Sequence, residues 1–222
     1  MAVFDPNRCA LVEMCDHTPV WRGNIPINKD GEFAYHEMAV ALDIEPGQAL
    51  VDISLIDNIK GGERDQWLVE LNAYGVPVSK FPGGTNIPPQ FNQPKWDPAH
   101  LLGDGIKLRN GMAPGHLCWW QIEGGHDGIV LGPEKQSYNF IGLIEYIGIL
   151  RQGDGLFLYF HCMNGTDRTG AVVAGYAMRY MGMDLHAALD FAASIPAAGV
   201  MSDPYKDLVG AYAIWLGQNP PS

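Results

Sequence analysis

Positive charge is scarce in this chain. Lys and Arg number 14 against 25 Asp and Glu, a formal net charge of −11. Nucleic acids and anionic membrane surfaces are bound through clustered Lys and Arg, so neither is expected as a partner. Long apolar runs are missing too. No stretch reaches 18 apolar residues, about the minimum for a spanning helix, so no stable membrane insertion is expected. The first fifteen residues carry Asp5, Arg8 and Glu13 and no apolar signal core, which points to a cytoplasmic protein. Cysteine is limited to Cys9, Cys15, Cys118 and Cys162, too few and too scattered for a disulfide framework. Cys9 and Cys15 with His17 have no second cluster at ligand spacing, so no metal site is read, and no cofactor is expected. Internal repeats are absent.

What is there suits a folded α/β protein. Hydrophobic residues make up 47% of 222, enough for one domain with a substantial core. Residues 21–26 form an extended opening segment. Helix-like spacing runs over 33–42, a buried strand over 49–56, and a helix over 63–74 with Trp67, Leu68 and Leu71 on one face. A short strand is expected at 76–81. Residues 82–100 are rich in Pro, Gly and Asn, and 101–120 alternates turns with short apolar pieces, which suggests a hairpin. We read 82–125 as an insertion or lid over a common core. Within it, Trp96, Trp119 and Trp120 are candidates for a pocket wall, although core packing is the commoner role for such rings. Helices are expected at 137–150, 171–181, 185–194 (with Asp184 as N-cap) and 205–216, and a strand at 156–160. Alternation of strands and helices implies a mostly parallel central sheet flanked by helices.

The most informative stretch is His161-Cys162-Met163-Asn164-Gly165-Thr166-Asp167-Arg168-Thr169-Gly170. A strand leads in and a helix leads out, the context in which backbone N–H groups converge on an anion. A Cys-x5-Arg pair alone is weak, since four cysteines and seven arginines produce one by chance about one time in eight. The added His161, Gly165, Thr169 and Gly170 make coincidence far rarer. Cys162 would be a nucleophile favoured as thiolate by the helix start and by Arg168. Arg168 offers a planar fork to two phosphate oxygens. Gly165 allows close backbone approach, Thr169 is placed to donate its hydroxyl to the thiolate, and His161 to fix the loop through backbone hydrogen bonds. Met163, Asn164, Gly165 and Thr166 would supply the substrate cradle.

This segment resembles the His-Cys-x5-Arg-Thr-Gly signature of the cysteine-dependent tyrosine and dual-specificity phosphatases. The opening Trp21-Arg22-Gly23, the strand at 50–55 and the stretch 76–82 are similar to smaller members of that family. The resemblance implies a phosphomonoester hydrolase working through a phosphocysteine. Its substrate would be a phosphorylated protein or a small phosphomonoester, most simply a phosphotyrosine-type group, because the signature carries Met163 and Thr166 where inositide-acting members tend to carry Lys.

The family also implies an acid that protonates the leaving oxygen. Asp127, 35 positions before Cys162, stands in a Gly-rich loop similar to the family's acid loop, though without the Trp-Pro that usually precedes the Asp. Asp167, inside the signature, is the rival, as in Asp-Arg-Thr members that act on lipids. Its alternative role is to accept backbone N–H bonds. Asp97 and Asp104 are outside candidates. A phosphate-binding pseudophosphatase is the non-catalytic alternative, and a rhodanese-like sulfur transferase is a further one that the signature disfavours.

Overall fold

The computed structural model describes residues 2–16, 18–56, 61–77, 101–103, 105–120, 122, 125 and 140–218. Seven strands and six helices are found among them. Strand β1 (Ala10–Cys15) pairs antiparallel with β2 (Thr18–Gly23). Helix α1 (Tyr35–Ala41), β3 (Ala49–Ser54), α2 (Gly61–Ala73), the β4–β5 ladder (Ile106–Leu108 and Gly111–Ala113), β6 (Gly115–Trp119), α3 (Phe140–Leu150) and β7 (Leu156–His161) follow. The chain ends in α4 (Asp167–Tyr180), α5 (Leu185–Ala192) and α6 (Asp203–Gln218). The five-stranded sheet has the order β1-β2-β7-β3-β6, and every pairing except β1–β2 is parallel. The fold is thus α/β with a mostly parallel central sheet flanked by helices. No helix among the described residues is long and apolar enough to cross a membrane.

Alternation along β3 divides the core. Val51 and Ile53 pack with Leu158 and Phe160 against α3, α4 and α6. Leu50, Phe157 and Tyr159 point to the other face, where α1 and α2 cover them. A strand sends successive side chains to opposite faces, so Asp52 and Ser54 fall on the α2 side with Leu50. Both are fully buried there.

Several expectations need adjusting. The antiparallel ladder lies within 101–120 as read, but β6 is a full strand of the central sheet, so the end of the supposed insertion belongs to the core. Residues 76 and 77 are not in a strand, and 78–81 lie outside the described residues. So do Trp96, Asp97, Asp104, Asp127 and residues 82–100. Trp119 and Trp120 pack in the core: Trp119 donates Nε1–H to Ile56 O at 2.9 Å and Trp120 stacks on Tyr146. Asp184 does cap α5, accepting from Ala187 N at 2.9 Å.

Candidate active site

Strand β7 lies in the middle of the sheet, and residues 161–168 leave its carboxyl end for the start of α4. Open α/β sheets bind ligands at that edge. Gly165 has φ +72°, and a Cβ there would lie 2.8 Å from Gly23 O. Only glycine fits both the left-handed conformation and the contact. Gly23 itself has no space for a side chain, since a Cβ would lie 2.0 Å from the Tyr159 hydroxyl. That hydroxyl donates to Asn24 O at 2.6 Å. The end of β2 is in this way pressed against the signature loop.

Each carbonyl of the loop has a partner outside it. Cys162 O accepts from His161 Nδ1 at 3.4 Å and Met163 O from Ile25 N at 3.4 Å. Asn164 O accepts from Arg8 Nη1 at 2.8 Å, Gly165 O from Arg22 Nη2, and Thr166 O from Gly170 N at 2.9 Å. In a trans peptide the C=O of one residue and the N–H of the next point in opposite directions. With the carbonyls of 162–166 drawn outward, the N–H groups of Met163 to Asp167 turn inward. This is a nest of amide donors matched to an oxyanion. Thr166, the N-cap of α4, makes no side-chain cap. Its hydroxyl goes instead to Ala198 O, which leaves the first-turn amides and the positive end of the helix for a ligand.

Cys162, the first residue of this loop, is 4% exposed. Arg168 is oriented by Glu63, in the first turn of α2. Its Nη1 donates to Glu63 Oε2 at 2.9 Å and to Leu55 O at 2.8 Å, and its Nη2 to Glu63 Oε1 at 2.5 Å. A guanidinium has five N–H bonds. The three so engaged leave Nε–H and the second Nη2–H, a parallel pair spaced for two oxygens of a tetrahedral anion. Burial alone would lower the Arg168 pKa, but the Glu63 bond and the nearby Cys162 raise it above its ordinary value.

Arg22 is a second buried cation, 2% exposed. It also donates Nη1–H to Ala192 O at 2.6 Å. Burial lowers its pKa, and its proximity to Cys162 and Cys9 works the other way. In the sequence it stands in the extended opening segment, with nothing nearby to mark it as a partner of the loop. Tyr205 of α6 lies close enough to interact electrostatically with both Arg168 and Cys162.

Three further assignments change in detail. The Thr169 hydroxyl is directed to Gly23 O at 3.4 Å, and among the described residues it has no bond to the Cys162 sulfur. His161 does reach a backbone carbonyl, but its other nitrogen faces two acids. Nε2 lies 3.0 Å from Asp52 Oδ1 and 3.6 Å from Glu70 Oε1, all fully buried. Burial pushes the Glu70 carboxyl up to about 8. Burial alone would lower His161, but Asp52 and Glu70 raise it to about 9. Asp167 accepts from Ser202 N at 2.7 Å, so it ties the segment before α6 to the start of α4.

Arg22→Met tests the outward carbonyls. It leaves Gly165 O and Ala192 O without their donor, at about 1–3 kcal/mol per buried group. Urea unfolding should show a loss of about 2–6 kcal/mol, and phosphate titration a clear weakening. An unchanged midpoint with unchanged phosphate affinity would mean that Arg22 does not set the loop.

No protein-family model matches the chain, and no curated protein matches it.

Proposed function

We propose that the protein is a phosphomonoester hydrolase that works through a phosphocysteine at Cys162, with phosphotyrosine or a similar monophosphate as substrate. The observation that carries this reading is the set of inward amides from Met163 to Asp167 around a cysteine, closed on one side by the two remaining donors of Arg168. That arrangement fits a phosphoryl group, whose three non-bridging oxygens gain hydrogen bonds as it becomes planar in transfer.

In the first step the Cys162 thiolate attacks phosphorus. The S–P bond forms, the ester P–O bond breaks, and the leaving oxygen takes a proton from an acid. Water then attacks the same phosphorus and gives its proton to the carboxylate. The P–S bond breaks, and inorganic phosphate leaves with the thiolate restored.

For the acid we favour Asp127. Asp127 itself lies outside the described residues, but Gly125, two positions earlier, donates its N–H to Pro204 O at 2.5 Å. Pro204 adjoins Tyr205, which interacts with Arg168 and Cys162. Gly125 is therefore tied to the start of the helix that bears Tyr205. Asp167, by contrast, already has one oxygen on Ser202 N, which suits a structural role.

Cys162→Ser should abolish hydrolysis of a generic aryl phosphate while phosphate binding, measured by calorimetry, stays within a few-fold. Retained turnover in a folded Cys162→Ser protein contradicts the nucleophile assignment.

Leaving-group dependence identifies the acid. Asp127→Asn should have little effect on nitrophenyl phosphate, whose leaving group needs no proton, and should slow a simple alkyl ester by about 10²–10⁴-fold. Asp167→Asn should slow both substrates alike, by loosening the loop. The reverse pattern would assign the acid to Asp167 and make phosphoinositides the better candidate substrates.

A further inference from the structure

We propose that Asp52, Glu70 and His161 form a binding site for one divalent transition-metal ion, zinc by preference, enclosed between strands β3 and β7 and helix α2. The site adjoins the anion nest through His161, whose Nδ1 holds Cys162 O. Asp52 and His161 nevertheless fall on the face of β3 and β7 that carries Leu50 and Tyr159, whereas Cys162 packs in the core on the opposite face. The inference does not depend on the phosphatase reading.

The first argument is geometry. One ligand atom from each of the three residues lies within 4.8 Å of the others. His161 Nε2 is 3.0 Å from Asp52 Oδ1 and 3.6 Å from Glu70 Oε1. Two ligands bound to zinc at about 2.0–2.1 Å with a tetrahedral angle stand roughly 3.3 Å apart, between those values.

The second argument is hydrogen bonding. Despite these separations, His161 Nε2 and both carboxylate oxygens of Asp52 and of Glu70 lack an aligned hydrogen-bond partner, and all are buried. The hydroxyls of Ser54 and Tyr74 also lack an aligned partner, although Ser54 lies within hydrogen-bonding reach of Glu70 and Tyr74 of Asp52. Buried polar groups are normally satisfied, and a set of orphaned oxygens and one nitrogen facing one another is what a cation satisfies. The Ser54 or Tyr74 hydroxyl is at hand for a fourth position.

The third argument is the histidine tautomer. His161 Nδ1 faces Cys162 O. A carbonyl has no proton to give, so Nδ1 carries the hydrogen, and a metal ion would take the place of the proton on Nε2. Metal-bound histidines characteristically donate their other ring N–H to a carbonyl or carboxylate in this manner.

A dication would offset the charge of the two buried carboxylates and would leave the imidazole neutral. The nitrogen ligand favours zinc over magnesium, which prefers oxygen and keeps its water. The ion would clamp α2 to the strands. Glu70 lies two helical turns from Glu63 on that helix, so the clamp would also steady the partner of Arg168.

The test is the metal content of the purified wild-type chain, by mass spectrometry after dialysis against metal-free buffer. About one equivalent of zinc per chain is expected. After unfolding with a chelator, refolding with cobalt(II) should give the visible absorption of a four-coordinate N/O site. Glu70→Gln and Asp52→Asn should each lose the metal and the cobalt spectrum. Wild-type protein that carries no divalent metal, and takes up neither zinc nor cobalt on refolding, overturns the proposal without recourse to any variant. Full metal content in the Asp52→Asn, Glu70→Gln double variant also overturns it, by showing that the ion binds elsewhere.

Discussion

A peptide group cannot turn its carbonyl outward without turning its neighbour's N–H inward. That constraint organises the loop after β7. Five successive carbonyls, from Cys162 to Thr166, are held from outside by His161, Ile25, Arg8, Arg22 and Gly170. The partners come from the 3-10 turn Pro6–Arg8, from β2 and the residues just after it, from β7 and from α4. The anion-facing shape of the loop is therefore a property of the assembled fold. The decapeptide could not hold it alone, because three of the five turned planes need a donor from a distant part of the chain, Ile25, Arg8 or Arg22.

Charge follows the same logic. The chain is strongly acidic, yet the loop is surrounded by Arg8, Arg22 and Arg168, each on a carbonyl or carboxylate acceptor. Helix α2 contributes through a buried polar edge: Glu63 grips Arg168, and Glu70 lies beneath His161. Positions 63, 67 and 70 recur at the helical period, so one face of α2 carries an acid, a Trp and an acid toward the sheet, with Tyr74 just beyond its end. This face sets the orientation of the guanidinium and leaves its Nε and Nη2 hydrogens for a ligand.

The loop itself was legible in the sequence because its chemistry is contiguous: cysteine, glycine and arginine stand in fixed order between a strand and a helix. The order of strands and helices was largely legible from hydrophobic period, but two strands of the central sheet were not: β1, which no reading covered, and β6, hidden in a segment dense in turn residues. The supporting groups were not legible. Glu63 and Glu70 sit on a helix whose apolar residues, Trp67 and Leu71, announce the buried face, and a glutamate beside such a face ordinarily points to water. Their partners are about a hundred residues further along, 105 in the case of Glu63 and Arg168. Arg22 and Gly165 are separated by 143 positions. Pairings of that range are created by the topology that inserts β7 between β2 and β3, and hydrophobic period carries no record of it. Thr169 was assigned to the thiolate from its neighbourhood in sequence, but the close approach of Gly23 gives its hydroxyl a carbonyl acceptor.

The most direct measurement is the amide proton–nitrogen spectrum of the uniformly labelled protein during titration with inorganic phosphate. The account predicts that the amides of Met163, Asn164, Gly165, Thr166 and Asp167 move together to lower field and saturate with one affinity, because each N–H acquires an anionic acceptor. Phosphate binding that perturbs only the Arg168 side chain, with those five amides unmoved, would contradict the inward orientation on which the account rests.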